Sequence, residues 1–331
     1  MRQPKAKLAH LEACLNPEVE YQKSTGLEEV ILNNQAACDL CLNDVDLETQ
    51  FFGKKLKAPL MIAPMTGGIE RGYELNKLWA RAAEYFGIAF GVGSQRVALE
   101  NPALSKTYEV RKQAPNAFIL ANLGAAQIAK GISLDAVQRA IDMISADALF
   151  IHFNAVQEAC QEGDVDYRNM TKNMTLLCEH FAKQKFPILA REVCFGISQE
   201  ATRRLISMGV SGIDCAGAGG TSWAKVEALC AKTERQRRIG FQFGEWGIPT
   251  AQSIQNVRQV SLEIPLIATG GIRTGQDIAK ALKLGANLTA MARPLLLAAC
   301  EGEKILFEHI EDLILELKIA LFASGKSELT V

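Results

Sequence analysis

No stretch of this 331-residue chain approaches the roughly 18 consecutive apolar residues that suggest a membrane-spanning helix. The N-terminus, MRQPKAKLAHLEAC, carries positive charge but lacks the apolar core of a secretory leader. Blocks of like charge are missing too. The chain has 36 Lys and Arg against 37 Asp and Glu, and the densest basic run, Arg235 to Arg238, is interrupted by Gln236. Neither a nucleic-acid footprint nor a membrane-surface footprint is expected, and the cytoplasm is the expected compartment. A disulfide framework is absent as well: the nine cysteines, at 14, 38, 41, 160, 178, 194, 215, 230 and 300, are odd in number, scattered and mostly inside apolar runs. Only Cys38 and Cys41 form a CxxC pair. A zinc or redox site would need a second pair or a following βαβ pattern, so these two read as ordinary thiols.

What the chain does have is a 48% apolar and 22% charged composition, that of a globular protein able to bury a large core. The length fits two ordinary domains or one large α/β barrel. From residue 59 onward, short apolar runs alternate with stretches of helical period. The runs are PLMIAP (59–64), IAFGVG (88–93), AFILANLG (117–124), DALFIHFN (147–154), FPILAREV (186–193), VSGIDCAG (210–217), IPLIATGG (264–271) and ANLTAMAR (286–293). Helical patterns span Tyr73 to Phe86, Leu134 to Ser145, Thr171 to Lys183, Ser198 to Met208 and Gly275 to Leu284. Ser198 and Thr274 are placed as N-terminal caps. Eight strand-helix units outline a parallel (β/α)8 barrel, with a doubly wound sheet as the alternative. The expected organisation is one barrel domain over 1–331: an extension at 1–58, the barrel at 59–297 and a C-terminal helix at 298–331.

Within the extension, Glu29 to Leu32 and Gln50 to Phe52 are expected to pair as short strands and plug the barrel's bottom. Thr221 to Pro265 is too long for an ordinary βα loop and is expected to form a long loop, either a functional lid or a disordered segment. Glu303 to Ala323 reads as a helix with apolar Ile305, Ile310, Leu313, Leu315 and Ile319, packed outside the barrel.

Polar residues gather at the C-terminal ends of the strand runs: Thr66, Ser94, Asn122, His152, Arg191 and the glycine pairs near 219 and 270. In a barrel that end carries the active site. The segment ATGGIRTGQ, followed by AMAR, offers glycine backbone and a helix N-terminus after the last two strands, where barrels bind phosphate; a tight turn is the alternative. GAGGTSWAKVE repeats this logic after strand six. APMTGG, GSQR and ANLGA would surround a flat cavity with small residues, as a planar cofactor requires. Arg96 is either an anion clamp or a surface residue. HFNAVQE, 152–158, places a histidine, an asparagine, a glutamine and a glutamate just beyond the fourth run.

Together, MTGG, GSQR, ANLGA, HxNxxQE, GGTSWA, WGIPT and GGIRTG resemble the flavin-dependent type 2 isopentenyl diphosphate isomerases from about residue 5 to 297. The resemblance implies an FMN-binding barrel, tetrameric or octameric, that interconverts isopentenyl and dimethylallyl diphosphate in isoprene biosynthesis. It also implies NADPH as the reductant of FMN, Mg2+ as a second cofactor, and no net redox change. Met65, Thr66, Gly67, Ser94, Asn122, Arg191 and Thr221 are the implied flavin contacts, and Gly270, Gly271, Arg273, Ala292 and Arg293 the implied surroundings of its phosphate. Lys7, His10, Arg96 and His152 are implied to face the substrate diphosphate. Gln157 is implied at the alkene end, Glu158 at Mg2+, and Gln157 and Arg191 as the catalytic residues.

The chain departs from the family pattern at three places. Ala6 stands where an arginine is usual, leaving a diphosphate cation to be replaced by Arg2 or Lys5. The usual Lys-Glu-Val-Gly is here Arg191-Glu192-Val193-Cys194, so a planar cation replaces lysine and a thiol replaces glycine. Two other readings are an oxidoreductase on the same flavin barrel, or a flavin-binding homologue with altered substrate. A 2-hydroxy acid oxidase would need a His and Arg pair late in the barrel, and no histidine lies between His180 and His309.

Overall fold

The computed structural model describes residues 3–329. Arg2, one of the two candidate replacement cations, lies outside the described residues, as does the side chain of Lys5. Each of the eight apolar runs contains one strand: β3 (Leu60–Ile62), β4 (Ala89–Gly91), β5 (Ile119–Gly124), β6 (Ala148–Phe153), β7 (Ile188–Glu192), β8 (Gly212–Asp214), β9 (Leu266–Thr269) and β10 (Leu288–Met291). They pair in parallel, in sequence order, and β10 closes onto β3. This is a (β/α)8 barrel.

Strand periodicity of two explains how such apolar runs also deliver polar groups to one end. Leu120, Phe150, Leu189 and Ile267 point into the barrel and pack together, whereas Ala121, Ile151, Ala190 and Ala268 face the surrounding helices. Two residues further along the inward face come Asn122, His152, Arg191 and Thr269. Asp214 follows Gly212 in the same way. The register sets His152 beside Arg191 and Arg191 beside Asp214. The lower barrel is therefore a packed apolar layer, and the layer above it is polar.

The helices fall where the periodicity predicts them, as Glu70–Phe86, Leu134–Ile144, Met170–Lys183, Gln199–Ser207 and Gly275–Lys283. The Ser198 hydroxyl accepts from the Ala201 NH and the Thr274 hydroxyl from the Asp277 NH, so both predicted caps are formed. No described helix is long and apolar enough to cross a membrane.

Two expectations are corrected. The bottom plug is a hairpin of β1 (Thr49–Phe51) and β2 (Lys54–Leu56), and residues 29–32 form no strand. Its two-residue turn, Phe52–Gly53, has φ of +47° and +78°, the positive values a type I′ turn needs. The turn drives Phe51 and Phe52 against Phe118, with Phe52 stacked on Phe118 at 6.4 Å. Secondly, Thr221 to Pro265 is a helical excursion and not a loop, with helices Trp223–Leu229, Glu234–Gln242 and Thr250–Arg258. The expected helix Glu303–Ala323 forms; it buries Leu306, Ile310, Leu313, Leu317 and Leu321 and leaves Ile305, Leu315 and Ile319 exposed. The apolar positions are too many for one face, and the barrel covers only one.

Candidate active site

A cavity of about 320 Å³ opens at the C-terminal end of the barrel. Its walls come from β5 to β7, from the loops after β3, β4, β8, β9 and β10, and from helix Gln3–Leu15, which lies over the top. All the implied site residues line it except Gly67. A side chain at Gly67 would run into the Tyr108 ring, and its carbonyl instead accepts from Lys7 Nζ at 2.6 Å.

One side of the cavity collects cations. Lys7 Nζ also donates to the Ser94 carbonyl at 3.0 Å and the Tyr108 hydroxyl at 2.8 Å. Burial, aided by the Arg96 charge, lowers the Lys7 pKa to about 7. His152 Nδ1 lies 2.7 Å from Asn122 Oδ1, an acceptor, so the ring proton is assigned to Nδ1 and the lone pair to Nε2. Burial and the charges of Arg191, Arg96 and Lys7 lower the His152 pKa to about 4, so the ring is neutral at pH 7. Arg96 approaches Glu100 one helical turn on, at 3.6 Å, and is a third exposed at the cavity rim.

A chain of hydrogen bonds begins two residues beyond His152. Asn154 Nδ2 donates to Gln157 Oε1 at 3.1 Å and to Glu158 Oε1 at 3.0 Å. Gln157 Nε2 donates to Glu227 Oε1 at 2.7 Å, and the other Glu227 oxygen lies 3.1 Å from His10 Nε2. Asn154 thus does more than shape a turn: it sets both side chains of the motif. Glu227 fixes which way the Gln157 amide faces. The second Glu158 oxygen accepts from the Asp164 NH at 2.7 Å, and Gly163 leaves room for it, since a Cβ there would sit 2.1 Å away. Among the described residues no group of three or more His, Cys, Asp or Glu side chains could hold a metal. A cation at Glu158 would draw its remaining oxygens from a ligand and water.

The floor is made by Arg191, whose side chain is 6% exposed, ion-paired to the fully buried Asp214 with its guanidinium 5.4 Å above the Phe150 ring. Burial raises the Asp214 pKa, while the Arg191 charge opposes the rise. Next to it, the Glu192 Oε2 accepts from the NH groups of Val193, Cys194 and Phe195. Burial pushes this carboxyl up to about 8 even against those donors. Cys194, in the place of the usual glycine, adopts no positive φ, and its sulfur accepts from the Trp223 NH at 3.3 Å. The thiol is accommodated because it acts as an acceptor in the wall, with burial raising its pKa well above the ordinary value.

The far end is a glycine cradle. Gly270 has φ +104° and Gly271 +69°. A Cβ on Gly270 would lie 2.0 Å from the Gly217 carbonyl, and one on Gly220 2.4 Å from the Gly271 nitrogen. Arg273 and Arg293 both reach the carboxylate of Glu20 there. Beside the cradle, the buried Thr269 hydroxyl stands next to the Asp214 carboxyl. A cradle without side chains and a fixed buried cation suit a planar phosphorylated ring system such as FMN.

Sequence reading missed Glu20, Tyr108, Gly163, Asp214 and Glu227. All but Gly163, which makes room for the nearby Glu158, act through partners remote in sequence, so no local spacing marks them. The HxNxxQE register could have flagged only Asn154, which shares a helical face with Gln157 and Glu158.

The sequence pattern of the FMN-dependent dehydrogenase family matches residues 2–186 and 182–330. The isopentenyl-diphosphate delta-isomerase of Synechococcus sp. is 45% identical over 98% of this chain and 93% of its own length. That of Methanocaldococcus jannaschii is 41% identical over 96% and 89%. Among solved structures, a flavocytochrome b2 with sulfite bound superposes with a TM-score of 0.68 at 19% identity, covering 97% of this chain and 80% of that one. A mandelate oxidase with an FMN monooxide adduct superposes with a TM-score of 0.63 at 19% identity, over 97% and 88%. These two share the barrel. The isomerase motifs, the cavity they build and the matches along nearly the whole sequence agree, and the chain belongs to the FMN-dependent dehydrogenase family and, within it, to the type 2 isopentenyl diphosphate isomerases.

Proposed function

We propose that the chain interconverts isopentenyl and dimethylallyl diphosphate with FMN and Mg2+, NADPH serving as the reductant of the flavin. The observation that carries this reading is the convergence of Lys7, His10, Arg96, His152, Gln157 and Glu158 on one cavity, in a chain 45% identical to a relative named for that reaction. Reduced FMN, when bound, supplies proton donation and acceptance beside an alkene, which ordinary side chains do poorly. The protein's own residues bind and orient. Lys7, Arg96, His10 and His152 would receive the diphosphate, and Glu158 would hold Mg2+, which takes oxygen ligands. Gln157, held between Asn154 and Glu227, faces the alkene end with a fixed amide. Arg191 would hold a permanent charge at the flavin, and Arg273 and Arg293 would neutralise its phosphate. Helix Gln3–Leu15 excludes water from above.

A homo-tetramer or octamer is part of the proposal, supported by the exposed apolar stripe of Ile305, Leu315 and Ile319. So is a cytoplasmic location, in keeping with nine unpaired cysteines. An oxidoreductase gains no support from the site. Only His10 and His152 line the cavity, and His180 and His309 lie on outer helices.

Anaerobic incubation of isopentenyl diphosphate with the protein, FMN, NADPH and Mg2+, followed by proton NMR, tests the reading. Dimethylallyl diphosphate should form without stoichiometric NADPH loss. NADPH consumption in step with substrate, or no product from flavin-loaded protein, would refute it.

A further inference from the structure

Glu20 occupies a place that neither the site motifs nor the proposed reaction explains. Its two carboxylate oxygens face different guanidinium groups: Oε1 accepts from Arg293 Nη1, and Oε2 from Arg273 Nη2 at 3.0 Å. The same arginines are anchored by the surrounding backbone. Arg293 Nε donates to the Cys14 carbonyl at 2.7 Å, and Arg273 Nη1 to the Gly219 and Gly271 carbonyls at 3.2 Å each. Two cations from the loops after β9 and β10 are thus pre-aimed, and a single internal anion holds their free ends.

The Glu20 backbone is itself clamped on the cradle. It forms an antiparallel bridge with Thr221, its carbonyl accepts from Lys225 Nζ at 2.6 Å, and the next residue, Tyr21, donates its NH to the Gly220 carbonyl at 2.8 Å. The carboxylate end is different. Its side chain is 35% exposed and lines the cavity, so water can replace its bonds, and a part-exposed ion pair of this kind holds only weakly. A carboxylate presents two oxygens to a guanidinium fork as a phosphate does, but with one charge where a phosphate monoester carries about two.

We infer that Glu20 is an internal counter-ion which the phosphate of an incoming phosphorylated ligand must displace, so that this residue sets how strongly the protein prefers FMN to riboflavin. The inference rests on the flavin reading proposed above. In the free protein Glu20 keeps the two guanidinium groups neutralised and aimed. In the loaded protein its negative charge stands beside a dianion and opposes it. A wall residue acting only structurally would affect both flavins alike, since they share the ring system and differ in the phosphate.

The test strips the protein of flavin and titrates wild type and Glu20→Gln with FMN and with riboflavin, following flavin fluorescence. Glu20→Asn removes the same charge and serves if the first variant does not fold. Loss of the charge should tighten FMN about two- to fivefold, the size of a part-exposed ion pair, and leave riboflavin within twofold. Inorganic phosphate should raise the melting temperature of the stripped variant at lower concentration than it does for wild type. FMN binding that is unchanged or weaker, or FMN and riboflavin shifting in parallel, would overturn the inference while leaving the flavin reading standing. Wild-type protein that binds neither flavin would overturn the flavin reading, and the inference with it.

Discussion

Asp214 is the strongest single test of how the floor of the cavity is built. Its side chain is fully buried, that of Arg191 is 6% exposed, and the two meet across neighbouring strands β7 and β8. Asp214→Ala removes the ion-pair partner of this buried guanidinium, which keeps the Phe150 ring at 5.4 Å. Removing one partner of a buried pair typically costs about 3–5 kcal/mol, because the surviving charge stays desolvated and unpaired. Coulomb attraction at 4 Å with an effective dielectric of 20 is about 4 kcal/mol, which agrees. With an unfolding entropy near 2.1 cal/mol/K per residue, this chain should lose roughly 4–7 °C in melting temperature. Urea unfolding followed by both circular dichroism and tryptophan fluorescence would check it, with coincident curves as the condition for a single free energy. Arg191→Met combined with Asp214→Leu replaces both charges by apolar groups and should recover most of the loss. A cost under about 1 kcal/mol for Asp214→Ala, or a double variant no better than the single, would mean that the pair is solvated and the floor is not dry.

Two further outcomes follow from the same geometry. The Lys7 pKa of about 7 should rise once a polyanion arrives, so inorganic pyrophosphate should bind with proton uptake between pH 7 and 9 and weaken as pH rises above 7; calorimetry in buffers of different ionisation enthalpy would show it, Lys7→Met should abolish it, and zero uptake at pH 8 would contradict it. Gly270→Ala should destabilise by about 1–3 kcal/mol or more and release flavin, because φ of +104° and a carbonyl 2.0 Å from the new Cβ leave no strain-free position; a thermal melt within 1 °C of wild type, with flavin retained, would speak against the cradle.

The barrel was legible in the sequence because its strands are covered on both faces, so each writes itself as a continuous apolar run followed by a polar residue. The bottom plug was only half legible. Phe51 and Phe52 are conspicuous, but their partner strand begins with Lys54 and Lys55, whose exposed edge carries no apolar signal. The run Glu29 to Leu32 is hydrophobic for another reason: Val30 and Leu32 pack singly against the outside of the core. The excursion after β8 read as a loop because its helices are short, the middle one is dense in charge and glycines 240, 244 and 247 punctuate the stretch; it holds its place through Lys225 bonded to Glu245 and Gly240 pressed against Ala224. The motif residues were found, since family patterns are local. Their supports, Asp214, Glu227 and Glu20, were not, because each is defined by a partner 23 to 273 positions away.

The segment ahead of the barrel also bears on how the molecule is assembled. Its hairpin seals one end of the barrel, and its first helix roofs the other, through His10 to Glu227 across 217 positions and Cys14 to Arg293 across 279. The seats of that first helix, Glu227 and Arg293, lie beyond β8 and β10, so the roof is complete only where the barrel is closed. Contacts of such long sequence separation form slowly, and the expected order is strands first and roof afterwards. A barrel closed but not yet roofed would expose its polar upper layer to water, and competence would arrive as a late step distinct from folding of the strands.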